Sequence, residues 1–211
     1  MGRIVVFGAG GRVGRAAVSE ARRRGHQVTA VVREPGKYGS LAGDGVRLMA
    51  GDVTDMDSVA RAAEGHDAAI SAVYDVGAEP DEFFTDAARA LRDGLSGAGV
   101  GRLLVVGVAS VLTSASGVAL MDTPGYPQGY RSFFLAHAAG AQVLRAEAGG
   151  LDWLIVSPAG DFDHEGVRNG SYRRVPADAA SRISHLDFAV ALLDEIDIPK
   201  HHRTHLGVEG C

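Results

Sequence analysis

The stretch RIVVFGAGGRVG, residues 3–14, is a short apolar strand that leads into a glycine-rich turn. A helix-like segment follows, and then a second strand-like stretch, QVTAVV, at residues 27–32. In a parallel α/β sheet this order of elements binds a pyrophosphate, because the start of the helix offers unpaired backbone N–H groups and the positive end of the helix dipole. The stretch therefore predicts a dinucleotide-binding loop.

The glycines of this turn are spaced G-x-x-G-x-x-G, at Gly8, Gly11 and Gly14, rather than in the G-x-G-x-x-G pattern. Their physical roles still fit: Gly8 makes the tight turn, Gly11 lets phosphate oxygens approach the backbone, and Gly14 lets the helix pack closely. An ordinary turn is the alternative interpretation, but the flanking strand and helix favour a nucleotide. The predicted cofactor contacts of the loop are Gly8, Gly10, Gly11, Arg12, Val13 and Gly14.

The length and composition indicate one globular domain. The chain has 211 residues, of which 46% are hydrophobic and 22% are charged, enough for a sizeable core. A net charge of −5 gives no support to a nucleic-acid-binding surface. We expect a small-molecule substrate, and the sequence leaves the oligomeric state open.

The cellular environment is predicted from the cysteine content and the absence of long apolar runs. The single cysteine, Cys211, is the last residue, which excludes a disulfide within the chain and favours a reducing compartment. The sequence contains neither an apolar signal core at its start nor a run long enough to cross a membrane. We therefore expect a cytoplasmic protein without membrane contact.

Strand and helix patterns alternate along the chain, which predicts a Rossmann-like, doubly wound parallel sheet in three α/β/α layers. Residues 1–158 form the predicted cofactor-binding core, and residues 159–211 a small substrate-covering part of the same domain. The predicted strands are 3–7, 27–32, 46–50, 68–72, 103–106, 153–157 and about 204–208; the predicted helices are 13–24, 56–63, 80–98, 135–148 and 187–195. Residues 108–130 and 161–177 are expected to be loop-rich.

Helix ends are also marked in the sequence. Glycines at 25, 65, 99 and 149–150 fall just beyond predicted helices, where a left-handed residue ends a helix at little cost. Asp55 is a plausible N-cap for the helix that follows it.

The end of the second strand selects between the two nicotinamide cofactors. An acidic residue there would bind a ribose 2′-OH, whereas an arginine suits a 2′-phosphate. The chain has Arg33 at this point, with Lys37 and Arg12 as further cations. A guanidinium binds phosphate through two parallel hydrogen bonds, so Arg33 favours NADPH over NADH. A solvated surface arginine is the alternative.

A carboxylate follows the third strand, in GDVT at residues 51–54. The side chain of Asp52 and the adjacent backbone of Val53 can hydrogen-bond the amino group and a ring nitrogen of adenine. The alternative is that Asp52 caps the following turn, since Asp side chains do so readily. We favour the adenine contact.

Several motifs together resemble one family. They are VFGAGGRVG at 6–14, VVREP at 31–35, GDVTD at 51–55, RLLVVG at 102–107, LDWLIVSPA at 151–159 and SRIS at 181–184. The chain is similar to the atypical short-chain dehydrogenase/reductases, in the NAD(P)H-binding, NmrA-like group, and within it to NADH-flavin reductases and biliverdin-IX-beta/flavin reductases. The resemblance implies that Ala72 and Val73 lie along the cofactor and that the segment Ser157, Pro158 and Ala159 runs beside the nicotinamide.

The chain departs from this superfamily in its catalytic residues. A standard member uses a tyrosine and a lysine four positions later, which lowers the pKa of the phenol for proton exchange with a carbonyl or alcohol. Here Tyr126 is followed by Tyr130 and Tyr130 by Phe134, and residues 126–137 contain no lysine. Standard alcohol dehydrogenation is therefore not expected.

Three other residues are candidates for the chemistry. Ser110 resembles the serine that lines the substrate pocket in flavin-reductase-like relatives, and alternatively is a turn hydroxyl bonded to backbone. Tyr130 could supply a phenol, although packing as a half-buried aromatic is favoured. His137 could donate a proton near neutral pH, although a structural histidine is favoured. The histidines at 201, 202 and 205 lack the accompanying ligands of a metal site, so no metal is expected.

These residues predict an NADPH-dependent reductase that passes hydride to a planar acceptor such as a flavin, quinone or aromatic ketone. Such a transfer needs little acid catalysis, because the cofactor carries the chemistry and the protein chiefly holds two rings face to face. The acceptor pocket is predicted around Ser110, the loop 112–130, His137 and the turn 159–162. The alternatives are a non-catalytic NmrA-like redox sensor, and a tailoring reductase or isomerase of secondary metabolism.

Overall fold

A computed structural model describes residues 1–75, 77–147 and 150–211. The strands are β1 (Arg3–Phe7), β2 (Gln27–Val32), β3 (Val46–Ala50), β4 (Ala68–Ser71), β5 (Arg102–Val106), β6 (Asp152–Pro158), β7 (Asp161–Asp163), β8 (Tyr172–Arg174), β9 (Arg182–Ser184) and β10 (Thr204–Gly210). The helices are α1 (Arg12–Arg23), α2 (Met56–Ala63), α3 (Pro80–Gly97), α4 (Arg131–Glu147) and α5 (His185–Asp197).

The main sheet has the strand order β3-β2-β1-β4-β5-β6-β10-β8. All neighbours in it are parallel except β8, which pairs antiparallel with β10. The central strands are apolar on both faces because helices cover both sides of the sheet. Along β1, Val5 and Phe7 pack toward α2, α3 and α4, whereas Ile4 and Val6 pack toward α1 and α5. The predicted three-layer Rossmann-like fold is confirmed.

The helix ends follow the local sequence. The Asp55 carboxylate accepts hydrogen bonds from the backbone N–H groups of Asp57 and Ser58, so it caps α2 as predicted. Gly25, Gly65 and Gly99 adopt φ angles of +83°, +71° and +74°, the left-handed conformation expected after helices. The predicted glycine at 149 lies outside the described residues.

The structure corrects the predicted boundaries in the last third of the chain. Residues 161–177, predicted as a loop, include the short strands β7 and β8. β7 pairs with β9 in a separate two-stranded sheet, and β10 extends the main sheet beside β6. Helix α4 begins at Arg131, one turn before the predicted start, and the predicted end at 148 lies outside the described residues. Propensity alone does not locate strands of three residues, because their pairing partners are distant in sequence.

Candidate functional site

The carboxyl ends of the parallel strands β1 to β5 border one cleft of about 830 Å³. This is the size of a cofactor site, and the edge of the sheet is where open α/β folds bind ligands. Most of the predicted cofactor residues line it: Gly8, Gly10, Gly11, Arg12, Val13, Arg33, Asp52, Val53, Ala72 and Val73.

The glycine loop closes one side of the cleft as its spacing predicts. Gly8 has a φ of +76°, and a Cβ there would collide with the backbone carbonyl of Ala72. A Cβ at Gly14 would overlap the carbonyl oxygen of Gly8, so Gly14 sets the close packing of α1 from a buried position behind the cleft.

The start of α1 fits a diphosphate. Helix α1 begins directly after Gly11, and its first turn contains no acidic residue. The helix N-terminus therefore presents its N–H groups and positive dipole end to the cleft, with the guanidinium of Arg12 beside them. The helix N-terminus and the Arg12 guanidinium are both positive, and this first turn has no carboxylate, so it is suited to an anionic ligand.

Cationic side chains line the cleft beyond β2. Arg33 is 65% exposed and forms an ion pair with Asp75, which follows β4. Hydrogen bonds from the backbone of Gly77 and from Arg33 lower the pKa of the Asp75 carboxyl, so it stays ionised. Lys37 also borders the cleft and pairs with Glu34 at 2.7 Å.

Asp52 borders the cleft at the end of β3. Its Oδ1 accepts hydrogen bonds from the backbone N–H of Thr54 at 2.9 Å and from the Thr54 hydroxyl at 2.7 Å. The turn-capping alternative is therefore observed. The predicted adenine contact of Asp52 and Val53 stays a prediction.

Aromatic rings also line the cleft. Tyr74, Phe83, Phe133 and Phe162 line it together with His137. The Phe133 ring meets Tyr74 edge to face at a centroid distance of 5.3 Å and His137 at 4.8 Å. The sequence analysis named the turn 159–162, which contains Phe162, but missed Tyr74, Phe83 and Phe133. Two signals were present: Tyr74 is three residues after the end of β4, and Phe133 is one helical turn before His137 on α4.

His137 lines the cleft as predicted. Its ring packs against Phe84 at a centroid distance of 3.8 Å, which agrees with the favoured interpretation of a packed ring. Burial, and next the nearby His205, lower the pKa of His137 to about 3, because an apolar aromatic environment disfavours the imidazolium. A catalytic role for His137 stays a prediction.

Ser110 and Tyr130 do not line the cleft among the described residues. Ser110 is 1% exposed, in a 3-10 turn after β5, and its Oγ has no hydrogen-bond partner among the described residues. The alternative of a turn hydroxyl bonded to backbone is therefore not observed. Tyr130 is 69% exposed at the start of α4, so the prediction of a half-buried ring is wrong. A catalytic role for either residue stays a prediction.

The end of β6 is arranged differently from the expectation. Ser157, Pro158 and Ala159 are all buried, and in the described structure Phe162 lines the cleft in their place. Their contact with the nicotinamide stays a prediction. In the predicted acceptor loop 112–130, three side chains, Leu112, Leu120 and Met121, are instead buried.

The clustered histidines have other partners. His201 Nδ1 lies 2.6 Å from Glu195, and His202 Nδ1 lies 2.8 Å from Asp152. Within residues 1–75, 77–147 and 150–211, no group of three or more histidine, cysteine or acidic side chains is arranged to hold a metal ion. Over the same residues, none of the helices has the length and apolar character needed to span a bilayer. The cytoplasmic location stays a prediction.

Comparisons with known proteins agree with this geometry. Residues 8–199 match the model of a family described as NAD(P)H-binding. The chain is 35% identical to "Uncharacterized protein YwnB" of Bacillus subtilis, over 94% of each chain. It is 36% identical to the structure of a "Putative exported protein" from Burkholderia pseudomallei, with a TM-score of 0.86 and full coverage of both chains. It is 30% identical to "a putative NADH-flavin reductase" from Streptococcus pneumoniae, with a TM-score of 0.84 and full coverage of both chains.

Proposed function

This chain belongs to the NAD(P)H-binding family whose model matches residues 8–199, and on that premise we propose that it is an NADPH-dependent reductase of a planar acceptor. The acceptor classes are a flavin, a quinone or an aromatic ketone. One observation carries the proposal: a single cleft is lined by a glycine loop, by cationic side chains and by several aromatic rings. The similarity in sequence and fold to the "putative NADH-flavin reductase" of Streptococcus pneumoniae described above supports the same reaction class.

The cationic end would hold the phosphates. The N–H groups at the start of α1 and the Arg12 side chain bind the diphosphate. Arg33 and Lys37 bind the 2′-phosphate that distinguishes NADPH from NADH, since a guanidinium matches phosphate geometry with two hydrogen bonds. When bound, the reduced nicotinamide supplies a hydride.

The aromatic side chains of the cleft would hold the acceptor. Tyr74, Phe133 and Phe162 offer ring faces and edges on which a planar molecule stacks, and they exclude water from one side of it. Holding two rings in contact converts a bimolecular step into a unimolecular one, which lowers the barrier without an acid or base from the protein. This fits a site in which the tyrosine–lysine pair is missing.

A redox sensor is the second candidate. Two observations favour it: Tyr130 is exposed to solvent, and Ser110 does not line the cleft among the described residues. The hydroxyl groups that could transfer a proton to a substrate are therefore outside the site. A sensor would bind the dinucleotide in the same cleft and consume none of it.

The test is NADPH oxidation, followed by absorbance, with flavin mononucleotide, riboflavin, menadione and an aromatic ketone as acceptors. We expect turnover with at least one of them. A Phe133→Ala variant should raise KM for that acceptor, whereas Leu135→Ala, on the exposed side of α4, should not. Saturable NADPH binding with no turnover across the panel would contradict the reductase and support the sensor.

A further inference from the structure

The cleft continues past Gly107 into a small inner cavity of about 50 Å³, between α3, α4 and the sheet. Five residues border both spaces: Val73, Val106, Gly107, Val108 and His137. An engineered cavity that binds benzene is about 150 Å³, so this one is too small for a ring. It fits one small substituent of a molecule that lies in the cleft.

The walls of the inner cavity are apolar except for the Ser71 side chain and two imidazoles, those of His137 and His205. Neither ring nitrogen of His137 hydrogen-bonds to another described residue, although Phe84 and Phe133 hold the ring in place. The His137 side chain is partly exposed at this wall, so a polar atom of a ligand in the cavity can reach its ring.

His205 is held from the opposite side by a hydroxyl. Ser157 is fully buried, and its Oγ lies 2.7 Å from His205 Nε2. A Cβ at Gly107 would come within 2.6 Å of the Ser157 Oγ and 3.2 Å of the His205 Nε2. Only glycine therefore fits after β5 beside this hydrogen bond. When Ser157 donates to Nε2, the proton of the neutral ring is on Nδ1, which bonds to no other described residue.

We propose that the inner cavity is an oxyanion pocket in which His137 and His205 each donate an N–H to one carbonyl oxygen of the acceptor. The inference rests on the proposed function and narrows its acceptor to a compound with a ring-conjugated carbonyl, a quinone or an aromatic ketone. The inner cavity is large enough for an oxygen atom. The N–H groups of two neutral imidazoles in an apolar wall stabilise the negative charge that develops on that oxygen.

The reaction balances without an acid from the protein. A C–H bond forms at the acceptor carbon, either the carbonyl carbon or the ring carbon conjugated with it, as the C–H bond of the reduced nicotinamide breaks. The nicotinamide is oxidised by two electrons. The displaced electron pair comes to the carbonyl oxygen, between the two imidazoles, and that oxygen afterwards takes a proton from water.

The two histidines stay neutral in the working range of pH. Burial and His205 lower the pKa of His137 to about 3, and burial and Arg145 lower the pKa of His205 to about 4. Among the described residues, the charged groups that face them are Arg145, near His205, and the carboxylates of Glu79, Glu82 and Asp86, which line the outer cleft. Because neither imidazole changes charge, kcat should be flat between about pH 5.5 and pH 8.

The first test measures NADPH-dependent reduction of menadione. His137→Phe and His205→Phe keep a planar ring and remove the donor, so kcat should fall roughly 100-fold in each while the Kd for NADPH stays within about twofold. His202→Phe is the matched control, since His202 is exposed and bonded to Asp152 outside the cavity. An unchanged kcat in His205→Phe would overturn the pocket. So would a fall in the kcat of the wild-type protein as pH rises through about 6.5.

The second test needs no turnover. Nitrogen NMR of the protein without ligand should show His137 and His205 neutral down to about pH 5, with the His205 proton on Nδ1, and Ser157→Ala should remove that tautomer preference. A proton on Nε2, or titration near the ordinary histidine pKa, overturns the pocket. If the wild-type protein oxidises no NADPH with any acceptor, both the proposed function and the oxyanion pocket are wrong. If the wild-type protein turns over and His205→Phe keeps the same turnover, only the oxyanion pocket is wrong.

Discussion

The guanidinium of Arg33, at the end of β2, is paired with the carboxylate of Asp75, just after β4, across the mouth of the cleft. The arginine that we assign to the 2′-phosphate is therefore held by a carboxylate when no cofactor is bound. A phosphate that binds Arg33 has to displace Asp75, and the negative charge of Asp75 remains nearby. If Arg33 holds the 2′-phosphate as we propose, two residues that oppose each other set the preference for NADPH.

Removing the opposing charge should tighten NADPH binding. In Asp75→Asn the side chain keeps its size and loses its charge, so Arg33 is released and the repulsion of the phosphate disappears. We expect the Kd for NADPH to fall about three- to tenfold, and the ratio of NADPH to NADH affinity to rise, measured by fluorescence titration. Weaker binding of NADPH would show that Asp75 itself contacts the cofactor.

Reversing the charge at the other partner should have the opposite effect. Arg33→Asp replaces the phosphate partner with a repelling carboxylate, so NADPH affinity should fall by more than about tenfold while NADH affinity changes little. Arg61→Asp, an exposed residue on α2 outside the cleft, is the control for net charge. Unaltered NADPH affinity in Arg33→Asp would mean that Arg33 does not select the cofactor.

The sequence predicted the part of the site that depends on backbone. The turn at Gly8 and the close packing at Gly14 need residues without side chains, and that requirement is visible in the spacing of the glycines. Arg33 was predicted by the same rule, because parallel strands all end at one edge of the sheet. Its partner Asp75 follows β4 in the same way and could have been predicted.

The acceptor side was predicted only in part: His137 and the turn 159–162 were named, but the aromatic neighbours and the inner cavity depend on packing between distant segments. His137 and His205 are on α4 and β10, and the burial that lowers their pKa values comes from the helices around the inner cavity. Ser110 shows the same limit: the resemblance predicted a serine that lines the substrate pocket, and tertiary packing buries it outside the cleft of the described residues.

Substituting Ser110 should separate a catalytic role from a structural one. Its Oγ is buried without a partner among the described residues, so Ser110→Ala removes an unsatisfied polar group and should leave the free energy of unfolding unchanged or slightly higher. We expect reduced turnover with NADPH affinity retained. If urea titration shows that Ser110→Ala is as stable as the wild-type protein and kcat and KM are unchanged, Ser110 is not a catalytic residue.

Glu20 connects helix α1 to Arg168, in the last third of the chain, and should make the free energy of unfolding depend on pH in acid. Its buried carboxylate bonds Arg23 at 2.5 Å, Arg24 at 2.9 Å and Arg168 at 3.1 Å. Burial by itself would raise its pKa, but these three arginines lower it from 4.5 to about 2. A carboxyl with a lowered pKa stabilises the fold above its unfolded pKa, and this stabilisation is lost as pH falls from about 4.5 to about 2.

Glu20→Gln should therefore lower the free energy of unfolding by about 1–3 kcal/mol at pH 7, and by much less near pH 2, in urea titrations. The control is Glu64→Gln, at an exposed position after α2, for which we expect a change within about 0.5 kcal/mol. A Glu20→Gln deficit that is the same at both pH values would show that packing, and not the carboxylate charge, is responsible.

The central claim is that the loop at residues 8–14 binds the diphosphate of a phosphorylated nicotinamide cofactor. Isothermal titration calorimetry of the folded protein with NADPH tests it most directly. Gly14→Ala, whose Cβ would collide with the Gly8 carbonyl, should lose the binding heat, whereas Gly97→Ala, with open space at its Cβ, should retain it. For the wild-type protein we expect saturable binding that is tighter for NADPH than for NADH; no saturation with NADPH or NADP⁺ at millimolar concentration would contradict the account.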